Sequence, residues 1–286
     1  MAVTSVGDAE IRRVEEMVVK VPLGGLCTEA AVARHRDWLV PRFMDEDGSA
    51  ELVMQSWIIA VDGGIVVVDP CVGNDRPSTM PMFDRLKTPY IERFHATGIR
   101  PDQVTHVFCT HLHCDHCGWN TELRDGRFVP TFPRARYLFS RREHDRWGPR
   151  RAEYPLHDFM EGVFERSVAP VIEAGLAELV EGRHPLSTSL TIEPFYGHTA
   201  GQSVLHLASR GEEAYFAGDV FHHPLQLSEP ELDIGGADDS AQAAESRLRL
   251  AGLCAERDAL LIPAHFKAPH MGRVGRRDGR FTFAWA

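Results

Sequence analysis

No stretch of this chain approaches the roughly 20 consecutive apolar residues that a bilayer-spanning helix needs, so a membrane-spanning helix is not expected. Nothing resembles an export leader either. Residues 1–20 carry Asp8, Glu10, Arg12, Arg13, Glu15 and Glu16 before any apolar run, and cytoplasmic residence is the default expectation. Positive charge is also in deficit: 31 Lys and Arg against 41 Asp and Glu give a formal charge of −10. That argues against a grip on nucleic-acid backbones, which needs a basic face. A small substrate stays open, because one local patch or metal pair can outweigh the global field. Cysteine is sparse: the six, at 27, 71, 109, 114, 117 and 254, are scattered rather than arranged as a disulfide framework, which fits a reducing compartment. No repeat, low-complexity segment or Gly/Ser-rich linker divides the chain. A single domain over residues 1–286 is expected, with residues 1–50 as an N-terminal extension packed on it.

What is present is concentrated in one run. Thr110-His111-Leu112-His113-Cys114-Asp115-His116 places three imidazoles and a carboxylate within six residues. Imidazole nitrogen with carboxylate oxygen suits zinc and its first-row neighbours. The run follows Val104-Thr105-His106-Val107-Phe108-Cys109, apolar and β-branched, which reads as a buried strand. A loop at the C-terminal end of a strand is where α/β proteins tend to place their chemistry. Cys114-Asp115-His116-Cys117 also satisfies Cys-x-x-Cys, but it is interleaved with the ligand run and lacks the Pro or aromatic context of a redox motif.

The rest alternates strands with helices. Residues 30–39 read as a helix limited by Pro41. Residues 52–61 and 65–69 read as a hairpin turning at Gly63-Gly64. Residues 80–97 are a helix candidate with Gly98 as its stop. Residues 136–139 read as a strand, Ser140 as the cap of a charged helix from Arg141, and residues 153–179 as helical with a break near Pro170. Residues 190–195, 203–208 and 213–217 read as short strands, 239–257 as a helix, 259–262 as a buried strand and 280–285 as an edge strand. Two runs of strands with helices attached suggest two sheets packed face to face with helices outside, a four-layer αββα sandwich of α+β class with its site at the seam.

Three more ligand candidates stand at strand ends: His198 in Gly197-His198-Thr199-Ala200-Gly201, Asp219 after Gly218, and His265 after Pro263-Ala264. Singly, each also reads as a turn or cap residue. Together with the first cluster they make five His and two Asp, the number a two-metal site with a shared carboxylate needs. The order His111-x-His113-x-Asp115-His116, His198, Asp219, His265 resembles the metallo-β-lactamase superfamily, from about Ser56 through His265. The resemblance implies the αββα fold and two divalent metal ions, zinc first, with manganese, iron or cobalt as substitutes. It implies that His111, His113 and His198 hold one ion, that Asp115, His116 and His265 hold the other, and that Asp219 bridges. It further implies a hydroxide held between the ions as nucleophile. Asp69 matches a supporting acid of the superfamily that orients a ligand His; as a bare residue it reads equally well as a turn acid before Pro70.

The segments around Gly218-Asp219-Val220-Phe221-His222-His223-Pro224 and Pro263-Ala264-His265-Phe266 are most similar to the lactonase and methyl parathion hydrolase branch. That implies hydrolysis of a small ester, a lactone first, with phosphotriesters or aryl esters as the alternative. Homodimerisation is common in that branch and is an open option here. A mononuclear-iron persulfide dioxygenase is a more remote reading, because Asp115, His116 and His265 are all retained; a non-catalytic binding module is disfavoured by the complete ligand set. Asp115 is placed to pass a proton to the leaving group. His222 is a candidate hydrogen-bond donor to the developing oxyanion, or a loop His that only shapes the pocket, and His223 has less to recommend it. Trp119, Phe221, Leu227 and Phe266 flank the ligands and suggest an apolar wall, though each also reads as core. Cys114 and Cys117 line the site or lie behind it. His106, His144, His157, His184 and His206 carry no motif, and the Arg-rich residues 141–151 read as a solvated helix face.

Overall fold

The computed structural model describes residues 3–154 and 157–286. The chain opens with strands β1 (Thr4–Val6) and β2 (Ala9–Pro22), followed by helices α1 (Leu23–Leu26) and α2 (Glu29–Leu39). Strands β3 (Ser49–Val61) and β4 (Gly64–Val68) form a hairpin, then α3 (Tyr90–His95) leads to β5 (His106–Phe108). A small hairpin of β6 (Thr121–Arg124) and β7 (Arg127–Pro130) precedes β8 (Arg136–Ser140), α4 (Arg141–Trp147), α5 (Val163–Ser167), α6 (Ala169–Glu173) and β9 (Ala177–Val180). The second half runs β10 (His184–Pro185), β11 (Leu190–Pro194), β12 (Ser203–Ser209), β13 (Glu212–Gly218), α7 (Leu225–Ser228), α8 (Ser240–Arg257), β14 (Leu260–Pro263), β15 (Gly272–Arg277) and β16 (Arg280–Trp285).

Two seven-stranded mixed sheets result, in the orders β1-β2-β3-β4-β5-β8-β9 and β10-β11-β12-β13-β14-β15-β16. Side chains alternate between the faces of a strand, and this chain uses both faces. Trp57, Ile59, Val66, Val68 and Phe108 of the first sheet meet Leu205, Leu207, Phe216 and Ile262 of the second in a shared inner core. The intervening Ile58 and Val67 turn outward under α3, while Tyr215, Ala217 and Leu261 pack beneath α8. This is the expected αββα sandwich. Residues 4–22 belong to the first sheet itself: β2 pairs with β3 from Glu10 opposite Ala60 to Pro22 opposite Ser49.

Local expectations fared unevenly. The hairpin turn is Asp62-Gly63, with Gly64 already in β4. The helix over 80–97 is not formed. Only a 3₁₀ turn at Pro81–Phe83 and α3 appear there, because Pro89 in the middle of the span cannot donate to the helical ladder. The helix over 153–179 is likewise broken into α5 and α6, and its last residues form β9, which pairs in parallel with β8; positions 155 and 156 of that span lie outside the described residues. Gly175, at φ 70°, turns the chain out of α6 into this strand. Ser140 stands at the N-cap of α4 without making a side-chain cap bond.

Candidate metal centre

Strand ends deliver the candidate ligands. Strand β5 runs parallel to β4 and β8, so the 110–116 loop leaves the same sheet edge as Asp69. In the other sheet β13 pairs in parallel with β14, which sends Asp219 and His265 out side by side. His198 lies in the turn between β11 and β12, whose tip is fixed where the Asp238 and Asp239 amides donate to the His198 and Gly197 carbonyls. The two halves touch at Gly218. A Cβ there would stand 2.3 Å from Thr110 Oγ1, so only glycine allows the approach that puts Asp219 against the first cluster.

All seven candidates converge, as two groups of donor atoms: His111, His113, His198 and Asp219, and Asp115, His116 and His265. Asp219 faces both. Its Oδ2 is 3.8 Å from His111 Nε2, 3.4 Å from His198 Nε2 and 3.0 Å from His222 Nε2. Its Oδ1 is 3.3 Å from His116 Nε2 and 3.1 Å from His265 Nε2. Asp115 Oδ2 closes the second group at 3.5 Å from His265 Nε2. His113 Nδ1 and His198 Nε2 lie at hydrogen-bond distance, 3.1 Å apart.

The surroundings fix which ring nitrogens point inward. Asp69 accepts from the Thr110 amide (2.7 Å), the Thr110 hydroxyl (2.8 Å) and His116 Nδ1 (3.0 Å). With its own proton given to Asp69, the Thr110 hydroxyl accepts from His111 Nδ1 at 3.1 Å. His265 Nδ1 donates to the Val53 carbonyl at 3.1 Å. Each bond leaves the Nε2 lone pair turned into the site, as metal-ligating histidines require. Asp69 therefore orients His116 directly and His111 through Thr110, and the simple turn-acid reading does not describe it.

The donor set fits divalent metal ions. His111 Nε2, His116 Nε2 and Asp219 Oδ1 are buried and make no well-formed hydrogen bond, a state that is costly unless something else binds them. Burial holds His111 and His198 well below the ordinary histidine range and His113 at about 4, so these rings are neutral. Burial also acts against the charged form of His116 and His265. There the facing carboxylates of Asp219 and Asp115 prevail and push both upward, so a cation entering this group displaces protons.

Beside the centre opens a cavity of about 350 Å³. Val19 and Val21 of β2, Leu52 and Met54 of β3 and Leu26 of α1 contribute to its wall. Met80, Met82 and Phe83 of the loop after β4, with Phe159, line it as well. These wall residues were missed in the sequence, where the Met-Pro-Met-Phe run at 80–83 was read as helix; methionine and phenylalanine in a proline-broken segment are the available signal. The anticipated wall is core instead. Trp119 stacks on Tyr90 at 5.0 Å and donates to Glu16 at 2.7 Å, and Phe221, Phe266 and Leu227 are buried beneath α8. Cys114 and His222 do line the cavity. Cys117 lies behind, its thiol pushed up to about 12 by burial, and all six cysteines are free. His223 is structural: it bonds the Phe43 carbonyl at 3.0 Å and accepts from the Leu225 amide.

The Arg-rich helix is not simply a solvated face. Arg146 is buried and paired with Asp238 at 3.2 Å. Glu143, 0 % exposed, accepts from the Leu112 amide (3.0 Å), the Gly201 amide (2.7 Å) and Trp147 Nε1 (2.9 Å). One carboxylate thus joins the loop of His111 and His113 to the turn of His198. It too was missed, and nothing in its i,i+4 sequence context marks it.

The sequence profile of the metallo-β-lactamase superfamily matches residues 52–265, and the protein belongs to that superfamily. With this fold and a complete donor set it is an enzyme of the metal-dependent hydrolase type. Several solved structures share the fold. AbOPH, a hydrolase of the β-lactamase superfamily, superposes with a TM-score of 0.82 at 21% identity, covering 99% of this chain and 96% of its own. AidC, a dizinc quorum-quenching lactonase in complex with a product, gives 0.81 at 17% identity, covering 100% and 97%. A probable metal-dependent hydrolase from Staphylococcus aureus gives 0.77 at 16% identity, covering 99% of each chain. No curated protein matches the sequence.

Proposed function

We propose that the protein is a dinuclear metal-dependent hydrolase of small uncharged esters, with lactones as the leading substrates. The observation that carries this reading is Asp219, whose two oxygens each face one group of donors. His111, His113 and His198 would hold one ion, Asp115, His116 and His265 the other, and Asp219 both. Ions bound there would supply Lewis-acid polarisation and lower the pKa of water toward neutrality.

The chain's own groups do the rest. Asp115, whose side chain is 17% exposed, stands at the cavity edge. It takes a proton from the attacking water and passes it to the ring oxygen as the acyl C–O bond breaks, so lactone and water give one hydroxy acid. His222 lines the same cavity with Nε2 beside Asp219, where it can donate to the substrate oxygen that gains charge. The apolar wall takes up an acyl chain. Among the described residues that line the cavity, the only charged side chains are those of the candidate metal centre, which favours an uncharged substrate. Aryl esters and phosphotriesters are the second reading, since Met54, Met80 and Met82 in the wall also suit an aromatic leaving group.

Assay of metal-analysed protein against lactones, aryl esters, thioesters and phosphotriesters tests the proposal. Lactones are expected to give the highest kcat/KM, and His113→Ala and Asp219→Ala are expected to abolish turnover in folded protein. Undiminished hydrolysis in either variant would contradict the site. A phosphotriester preference would overturn the substrate assignment alone.

A further inference from the structure

Behind the 113–118 loop lies a second, small and partly open cavity of about 20 Å³, between Arg76, Cys114, Phe159 and Ser167. Arg76 is only 6% exposed. Its Nη2 shares two protons among the carbonyls of Gly118 and Thr121 and Thr121 Oγ1 (2.9 Å), and its guanidinium covers the Phe128 ring at 4.5 Å. All these partners are neutral. Its Nε and Nη1 are buried and donate to nothing, and the Ser167 hydroxyl, beside the Cys117 thiol, has no well-formed hydrogen bond.

A buried charge without a counter-charge is expensive. The carboxylates that reach Arg76 electrostatically are Glu16 and Asp75. Glu16 is engaged with the Val72 and Gly73 amides, Thr88 and Trp119, and Asp75 pairs with Lys87. A second guanidinium, Arg166, lines the cavity and spends its Nη2 on the carbonyls of Pro77 and Glu161. Burial lowers Arg76 to about 10, which leaves it cationic at neutral pH.

We infer that this cavity binds one small monovalent anion of the halide class, with Arg76 and Ser167 as donors. Size suits the class. A cavity needs about 10–15 Å³ on this measure for one water, so 20 Å³ gives room for a single water-sized occupant such as a monatomic ion. Charge favours an anion over water, because the carboxylates of Glu16 and Asp75 are bonded elsewhere and water adds no negative charge beside the Arg76 and Arg166 guanidinium groups. The site is separate from the apolar pocket, although Phe83, Cys114 and Phe159 form part of both walls. An ion here would brace the back of the ligand loop against α5, and it would stabilise the fold by mass action.

The test uses the full-length, metal-loaded protein. Crystals grown in bromide are expected to show an anomalous peak between Arg76 and Ser167, and Arg76→Met is expected to lose it. In solution, replacing gluconate by bromide at constant ionic strength should raise the melting temperature saturably by about 2–4 °C. That rise should be smaller in Ser167→Ala and absent in Arg76→Met. Bromide found only elsewhere in wild-type crystals, with water in this cavity, would overturn the inference even if Arg76→Met does not fold. So would a halide response that is equal in wild type and Ser167→Ala.

Discussion

Glu143 bridges two ligand-bearing segments that are far apart in sequence, and its removal has consequences that can be worked out from three hydrogen bonds. Replacing it with alanine leaves the Leu112 amide, the Gly201 amide and Trp147 Nε1 buried and unpaired. At about 1–3 kcal/mol for each orphaned donor, the loss is on the order of 3–9 kcal/mol. That is comparable with the whole stability of a typical domain, about 5–15 kcal/mol, so Glu143→Ala is expected to fold poorly. Glu143→Gln is the informative variant. It keeps one acceptor oxygen and turns an NH₂ toward the remaining donors, a loss of about 1–3 kcal/mol, and it also relieves the burial of a charge. Burial raises the Glu143 carboxyl above its ordinary range. Its contribution to stability is therefore greatest at low pH and declines as pH rises through the raised folded value, a dependence the Gln variant lacks. Urea unfolding of the metal-free protein reads the stability, and metal titration reads the positioning role. Affinity is expected to fall about 10- to 100-fold, the usual effect of losing support behind metal ligands. A Gln variant with wild-type stability and wild-type metal affinity would refute the reasoning.

Asp69→Ala is expected to weaken metal binding about 10- to 100-fold, because it frees His116 and unpairs Thr110; unchanged metal content after dialysis would contradict this. Met80→Trp should fill part of the apolar cavity, raising KM for long-chain lactones while sparing short ones, and equal effects on both would count against the pocket as the acyl site. Glu229 ties α2 to α7 through Arg34 and His35. Although partial burial opposes it, these partners hold its carboxyl below the ordinary range. The stability it contributes is present above the ordinary carboxylate range and is lost as pH falls through the lowered folded value. Glu229→Gln should remove about 1 kcal/mol or less at neutral pH, given the exposure of Arg34, and should flatten the acid limb of a melting-temperature profile.

Much of the architecture was legible because strand alternation and ligand chemistry act locally. The 104–116 strand and loop, the hairpin before Asp69 and the 239–257 helix follow from period and end signals in short windows. The long β2 was not read, since Arg12, Arg13, Glu15 and Glu16 mask the alternation that buries Val14 against the first sheet. Residues 177–180 look helical in isolation, and only pairing with β8 makes them a strand. The site divided in the same way. Candidate ligands announce themselves by residue type, whereas Glu143, Arg76 and the methionine wall acquire their roles only from neighbours distant in sequence.

The most direct test of the central claim is the metal stoichiometry of the purified, metal-replete protein, measured alongside Asp219→Ala. The two facing donor groups predict two divalent ions per wild-type chain, and fewer than two in the variant, which loses the carboxylate facing both. One ion or none in the wild type, or two retained without Asp219, would contradict the account.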